Sequence, residues 1–160
     1  ALAAVIGNVR TVHVVLRASD MDHLLLLLGE FASDPAVSLL LLEEPERGMG
    51  SNLACAVAQL PADCEALLVL LADLPYLQRE TVQAVVAAHK TGTVVVPVYG
   101  EDGIGRRGHP VLFDRAFFPQ LQQLQGDSGA RGLLQALGES LVLLPVTDAG
   151  ILLDVDVPPI

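Results

Sequence analysis

Residues Ala66–Ala72 form an unbroken run of seven apolar side chains that ends on Asp73, with Leu74 and Pro75 next. A run this short and continuous predicts a strand buried on both faces, and so a parallel sheet with helices on either side. At about 3.3 Å per residue it spans roughly 23 Å, enough to cross a domain core. Asp73 then falls where the chain leaves the core, at the carboxyl end of the strand, the edge at which open α/β sheets bind ligands. Pro75 cannot extend a ladder and stiffens the corner. An acid held there can take a divalent metal or bond a ribose. A turn or helix-capping aspartate is the alternative reading, because Asp favours turns for local hydrogen-bonding reasons.

The rest of the chain is long enough and apolar enough to build such a core. Its 160 residues, 52% of them hydrophobic, predict one domain over residues 1–160. A formal net charge of -10 argues against nucleic acid or an anionic membrane as partner. A phosphate ligand stays open, since a few arginines or one metal ion can reverse the field locally. Leu24–Leu28 is too short an apolar run to span a bilayer, and no signal peptide is visible. Cys55 and Cys64 show neither a metal-ligand pattern nor a disulfide framework and read as small buried thiols. These features together point to a cytoplasmic setting.

Taken in order, residues 1–6 look like the end of a helix stopped at Gly7. Residues 9–16 are rich in β-branched side chains and predict a strand that contains His13, read as a packed histidine with satisfied hydrogen bonds. Ser19 and Asp22 resemble a capping box opening a helix through Phe31. Residues 36–42 predict a second buried strand, and residues 43–47 a polar exit loop. Gly48-Met49-Gly50-Ser51-Asn52-Leu53 then opens a helix through about Gln59, with Ser51 suited to the N-cap. Two glycines before a helix start permit close backbone approach by a ligand, though a plain loop-to-helix turn explains them equally well.

Beyond Asp73, Val82, Val85, Val86 and His89 recur at helical spacing, so residues 79–90 predict an amphipathic helix ended by Gly92. Residues 93–98 predict a strand. Residues 100–108, with Arg106 and Arg107, read as a mobile hairpin or lid, or as a solvated turn. Residues 109–113 return as a strand in which Pro110 marks an edge or bulge. A short helix follows over residues 114–124, with Pro119 tolerated if the helix proper begins near Phe117. Asp127 caps a further helix whose stripe is Ala130, Leu133, Leu134 and Leu137. Residues 141–146 and 151–155 predict the last strands, with Asp154 and Asp156 on one side of the extended chain. The pattern is α/β: a mostly parallel sheet carrying an antiparallel C-terminal part.

Five pieces in order carry a family resemblance. They are Gly48-Met49-Gly50-Ser51-Asn52-Leu53, Leu71-Ala72-Asp73-Leu74-Pro75, Arg107-Gly108-His109-Pro110-Val111-Leu112-Phe113, Gly126-Asp127-Ser128-Gly129-Ala130-Arg131 and Leu153-Asp154-Val155-Asp156. Over about residues 9–157 the chain resembles the molybdenum cofactor cytidylyltransferases, within the wider MobA-like NTP transferase group. The resemblance implies a Rossmann-like nucleotidyltransferase fold. It implies transfer of CMP from CTP to the terminal phosphate of molybdopterin, release of pyrophosphate, use of Mg²⁺, and a molybdoenzyme as recipient of the product. On matching positions it implies that Asp73 is the principal magnesium ligand and Asp156 the second carboxylate. It sets Gly50, Ser51 and Asn52 along the nucleotide, and Arg107, Gly108, His109 and Pro110 on the acceptor side. His109 as a turn-stabilising imidazole before Pro110 is the alternative.

The family's opening strand and Gly-rich triphosphate loop, followed by a lysine, have no counterpart here. The resemblance therefore implies an N-terminally truncated chain that lacks a central strand, and the expectation is that it is unstable and inactive alone. Val157-Pro158-Pro159 also departs from the family's usual Thr-Pro-Glu. Two other readings remain open at this point. One is guanylyl transfer from GTP to another small phosphate acceptor. The other is a non-catalytic domain that binds a nucleotide, a pterin or a partner protein. A generic α/β signalling domain would leave Arg107-Gly108-His109-Pro110 unexplained.

Overall fold

The computed structural model describes residues 1–17, 21, 28–42, 48–100 and 105–155. In chain order its elements are α1 (Leu2–Val5), β1 (Val12–Arg17), β2 (Val37–Leu42), α2 (Met49–Ala58), β3 (Ala66–Val69) and α3 (Arg79–Ala87). They continue with β4 (Val94–Tyr99), β5 (Arg106–Arg107), β6 (Val111–Asp114), α4 (Phe118–Leu121), α5 (Arg131–Ala136) and β7 (Leu141–Val146). The chain forms two compact units. The first comprises Ala1–Asn8, Cys64–Phe117 and Leu137–Ile160, and the second Val9–Asp63 with Phe118–Ala136.

The first unit is built on β4. Val94, Val95, Val96 and Val98 are all buried, as a β-branched run covered on both faces should be. One edge of β4 pairs in parallel with β7 along its whole length, from Val94 opposite Leu141 to Tyr99 opposite Val146. The other edge is shared. Val94 and Val95 pair with Phe113 and Leu112 of β6, and Val98 and Tyr99 pair with Arg107 and Arg106 of β5, both antiparallel. Strands β5 and β6 are thus two halves of one return strand, broken at Gly108-His109-Pro110. Pro110 sits in that break, where no ladder donor is required of it. The far edge of β6 takes β3, antiparallel, from Ala66 opposite Asp114 to Val69 opposite Val111. Helix α3 presents the predicted stripe. Val85 packs with Val95 and Leu112, and Ala66, Leu68, Ala88, Val142 and Leu144 close around them.

The apolar run before Asp73 behaves differently from expectation. Strand β3 has four residues and is half-buried, and Ala72 and Asp73 are exposed. It ends the pairing order β3-β6-β4, so among the described residues it has a partner on one edge only, and that partner is antiparallel. Strands β4, as far as Val98, and β6 are the ones buried along their length among the described residues. The expected strand over residues 151–155 is instead a 3-10 turn at Ala149–Ile151 followed by irregular chain to Val155. No described helix is long and apolar enough to cross a membrane.

In the second unit β1 and β2 pair in parallel, from Val12 opposite Val37 to Arg17 opposite Leu42. Strand β2 alternates rather than being buried throughout. Leu40 and Leu42 point inward while Leu39 and Leu41 are exposed, the pattern of a strand covered on one face. His13 Nδ1 is hydrogen-bonded to Ser38 Oγ at 2.7 Å across the pair, and its buried Nε2 has no partner among the described residues. Helix α2 lies against β2 and α4. The helix proper of α4 begins at Phe118, which leaves Pro119 in its first turn. Cys55 is exposed on α2, contrary to its reading as a buried thiol. Cys64 is half-buried, its thiol donating to the Ala66 carbonyl at 3.3 Å. The capping pair Ser19 and Asp22 and the loop over residues 43–47 lie outside the described residues.

A buried carboxylate fastens the far end of the first unit's sheet. Asp114 Oδ2 contacts His89 Nε2 at 3.0 Å, and Oδ1 accepts from the Ala116 N–H at 3.0 Å. Burial alone would raise this carboxyl. The N–H groups of Ala116 and Gly92 and the His89 ring together outweigh it and hold Asp114 below its ordinary 3.8. A depressed folded value means that this contribution is complete above 3.8 and is lost as pH falls through the folded value. Asp114→Ala is expected to cost about 1–2 kcal/mol in urea unfolding at pH 7, because it removes the acceptor shared by the His89 ring and the Ala116 N–H. The gap between variant and wild type should close as the pH is lowered from 3.8 through the depressed folded value.

Candidate functional site

In the first unit, Asp73 stands on the exposed corner beyond β3, anchored by the buried side chains of Leu74 and Leu77. Its backbone carbonyl accepts from the Val155 N–H at 2.9 Å, which ties the corner to the C-terminal segment. The break between β5 and β6 brings in the second group. The Gly108 N–H donates to the Pro97 carbonyl at 3.0 Å, and the His109 N–H to the Ile151 carbonyl at 3.1 Å. A glycine is required at 108, since a Cβ there would lie 2.4 Å from the Ile151 oxygen. The His109 imidazole is pushed below its ordinary value by burial, and the Asp73 carboxylate pulls partly back. The ring is therefore largely neutral at neutral pH and lies within the field of Asp73. Arg106 and Arg107 are exposed on β5. Asp154 is exposed, and Asp156, the expected second carboxylate, lies outside the described residues.

In the second unit the two glycine-containing motifs lock together. Gly48, with φ of 95°, is the N-cap of α2, and Ser51 lies one turn in. The Ser51 hydroxyl accepts from the Gly126 N–H at 3.1 Å instead of capping the helix. The Gly50 N–H donates to the Gly126 carbonyl at 2.7 Å, and the Met49 N–H to Asp127 Oδ1 at 3.2 Å. Asp127, read from the sequence as the cap of the following helix, thus caps α2 from 78 positions away. The Asn52 N–H donates to the Gly48 carbonyl at 3.0 Å and continues the helix. Two N–H groups that a nucleotide could use at this helix start are already engaged. The Asp127 carboxylate also offsets part of the positive helix end.

Each unit carries an open groove. In the first, about 750 Å³ lies over the start of α3, between Gln78, Thr81, Tyr99, Thr147 and Asp148, and its walls include neither Asp73 nor His109. In the second, about 610 Å³ lies along α2 between Ser51, Cys55, Gln122, Gln125 and Gly126.

The sequence did not single out Asp148. It is buried after β7, and its carboxylate gathers donors from both the α3 start and its own turn. Asp-Ala-Gly after a strand is a turn signature, but nothing local names the distant donors. Two substitutions test the close approaches. Gly108→Ala forces the break off Ile151. Gly48→Ala combines a positive φ with a Cβ placed 2.6 Å from the Gly126 carbonyl carbon. Each should lower stability by about 1–3 kcal/mol or more, read by thermal unfolding. Gly132→Ala, where a Cβ meets nothing within 4 Å, should be near neutral.

Known proteins share the family and the fold. A family model described as the MobA-like NTP transferase domain matches residues 1–141. The purine catabolism protein PucB of Bacillus subtilis (strain 168) is 32% identical over 124 residues, 76% of this chain and 58% of PucB. The chain thus spans a little over half of that relative's length. Rv0371c from Mycobacterium tuberculosis H37Rv shares the fold with a TM-score of 0.72 at 23% identity, over 97% of this chain and 78% of that one. The structure of Rv0371c in complex with manganese gives 0.66 at 20% identity, over 91% and 75%. With most of its length matched by the family model, and with a nucleotidyltransferase-like α/β fold, the chain belongs to the MobA-like NTP transferase domain family.

Proposed function

We propose that this chain is the transferring part of a molybdenum cofactor cytidylyltransferase, which moves CMP from CTP to the terminal phosphate of molybdopterin. The observation that carries the reading is that one short segment holds both groups: the His109 N–H donates to the Ile151 carbonyl at 3.1 Å and the Val155 N–H to the carbonyl of Asp73, an exposed acid beyond a strand end, at 2.9 Å. An oxygen of the acceptor's terminal phosphate attacks the α-phosphorus of CTP. A new P–O–P linkage forms, the bond from the α-phosphorus to the bridging oxygen breaks, and pyrophosphate leaves with that electron pair. Catalysis of this kind is mostly positioning and charge neutralisation.

In this reading Asp73 is the principal metal ligand and Asp156 the second. Gly50, Ser51 and Asn52 lie along the nucleotide, and Arg107, Gly108, His109 and Pro110 shape the acceptor side, with Arg106 beside them. One exposed carboxylate is a sufficient protein contribution for Mg²⁺, which keeps several waters and takes its other ligands from phosphate oxygens. A divalent ion is also supported by the manganese complex of Rv0371c. When bound, it would neutralise the phosphate oxygens around the bond that breaks. His109, uncharged, can accept or donate a hydrogen bond at the acceptor without adding a cation.

The engagement of the Met49 and Gly50 N–H groups leaves base selection to the rest of that loop. The same contacts do not separate cytosine from guanine, so the test also covers guanylyl transfer from GTP to another small phosphate acceptor. The test uses the protein encoded by the complete open reading frame, with Mg²⁺, molybdopterin, and CTP or GTP, and measures pyrophosphate release. Turnover with CTP is expected, and Asp73→Asn should lower kcat by at least about a hundredfold. His109→Ala should raise the KM for the acceptor more than that for CTP. No turnover with either nucleotide would leave a non-catalytic binding domain. Equal effects of His109→Ala on both substrates would make His109 purely structural.

A further inference from the structure

Asp148 is 3% exposed, and three donors converge on it. Oδ2 accepts from the Gln78 N–H at 2.9 Å and from the Thr81 hydroxyl at 2.8 Å, and Oδ1 accepts from the Gly150 N–H at 2.8 Å. Gln78 is the N-cap residue of α3, yet its own side chain makes no capping bond. Asp148 supplies the cap from outside the helix, where a negative charge is also favoured by the helix dipole.

The consequences run outward to both candidate site residues. Gly150 is pressed so closely on the Asp73–Leu77 loop that a Cβ would lie 2.3 Å from the Tyr76 oxygen. Ile151, the next residue, receives the His109 N–H and packs on Gly108. Val155, four residues on, donates to the Asp73 carbonyl. The segment from 148 to 155 therefore touches the Asp73 corner twice and the His109 break once, and Asp148 fixes where that segment starts.

From this geometry we infer that Asp148 is a positioning residue, which sets the Asp73 corner and the His109 break in register without touching substrate. The inference rests on the nucleotidyl-transfer reading for its effect on turnover, and on geometry alone for the coupling between the loops. A carboxylate suits the task because both oxygens accept and neither donates, so an amide cannot satisfy all three donors. Groups that orient a metal-holding residue typically change activity or metal affinity by about 10–100-fold when removed.

The experiment compares the complete protein with Asp148→Asn, Thr81→Val and Val85→Ala. The last loosens the core of the same unit without touching these loops. Amide hydrogen exchange is read first. In Asp148→Asn the amides of Gln78, Gly150, His109 and Val155 should exchange at least about tenfold faster relative to the β4–β7 ladder. Val85→Ala should show no such selective change. Thr81→Val, which removes one donor of three, should give the same pattern at about three- to tenfold, and it carries the test if Asp148→Asn does not fold. In turnover, Asp148→Asn should lower kcat about 10–100-fold per folded molecule, with the KM for CTP changed less than about twofold. Exchange in Asp148→Asn that matches Val85→Ala, or unchanged kcat per folded molecule, overturns the inference. If the wild type shows no turnover, the functional reading falls, and the exchange pattern alone decides the coupling.

Discussion

Strand β4 must find backbone partners on both edges, and the way it does so decides where the first unit's chemistry can sit. Its β7 edge is paired without interruption. Its other edge is served by β5 at one end and β6 at the other, and the chain between them cannot pair as a strand does. Gly108, His109 and Pro110 fill that gap. Gly108 allows the backbone to press on Ile151, and Pro110 has no N–H to leave unpaired. His109 is thereby turned out of the ladder and into the field of Asp73. A buried valine strand, which has no chemistry of its own, is what sets the break that carries His109.

The second unit uses a different device. Gly48 and Gly50 permit backbone contact with Gly126 that no larger residue could make without displacement. Asp127 and Gly126 then take up the Met49 and Gly50 N–H groups, and Ser51 receives the Gly126 N–H. The helix start is held by these polar contacts together with close backbone packing, and the Met49 and Gly50 N–H groups are engaged by them. In both units an aspartate remote in sequence caps a helix beside the candidate site: Asp127 for α2 and Asp148 for α3.

What could be read from the sequence was what local rules decide. The stripe Val82, Val85 and Val86 follows from helical spacing, and the Asp73 corner from an apolar run ending on an acid before proline. The start of α4 at Phe118 follows from Pro119. The misreadings share one cause. An apolar run shows that a segment avoids water, but not how many neighbours it has, so β3 reads as buried on both faces although it is half-buried with one antiparallel partner among the described residues. Ser51 and Asp127 have the right chemistry for caps, yet each is used by a partner about 75 positions away or more. Asp148 could be seen as a turn residue and not as the acceptor for Gln78 and Thr81, because its donors are 67 and 70 positions away.

The proposed function requires that Asp73 hold a divalent ion on the side that His109 faces. Mn²⁺ can report this directly, since it broadens the NMR signals of nuclei near it. Titrated into the isotope-labelled protein from the complete reading frame, substoichiometric Mn²⁺ should broaden the Asp73 and His109 resonances first. Asp73→Asn should abolish that effect while leaving the β4–β7 amides sharp. Broadening centred elsewhere, or unchanged in Asp73→Asn, would contradict the account.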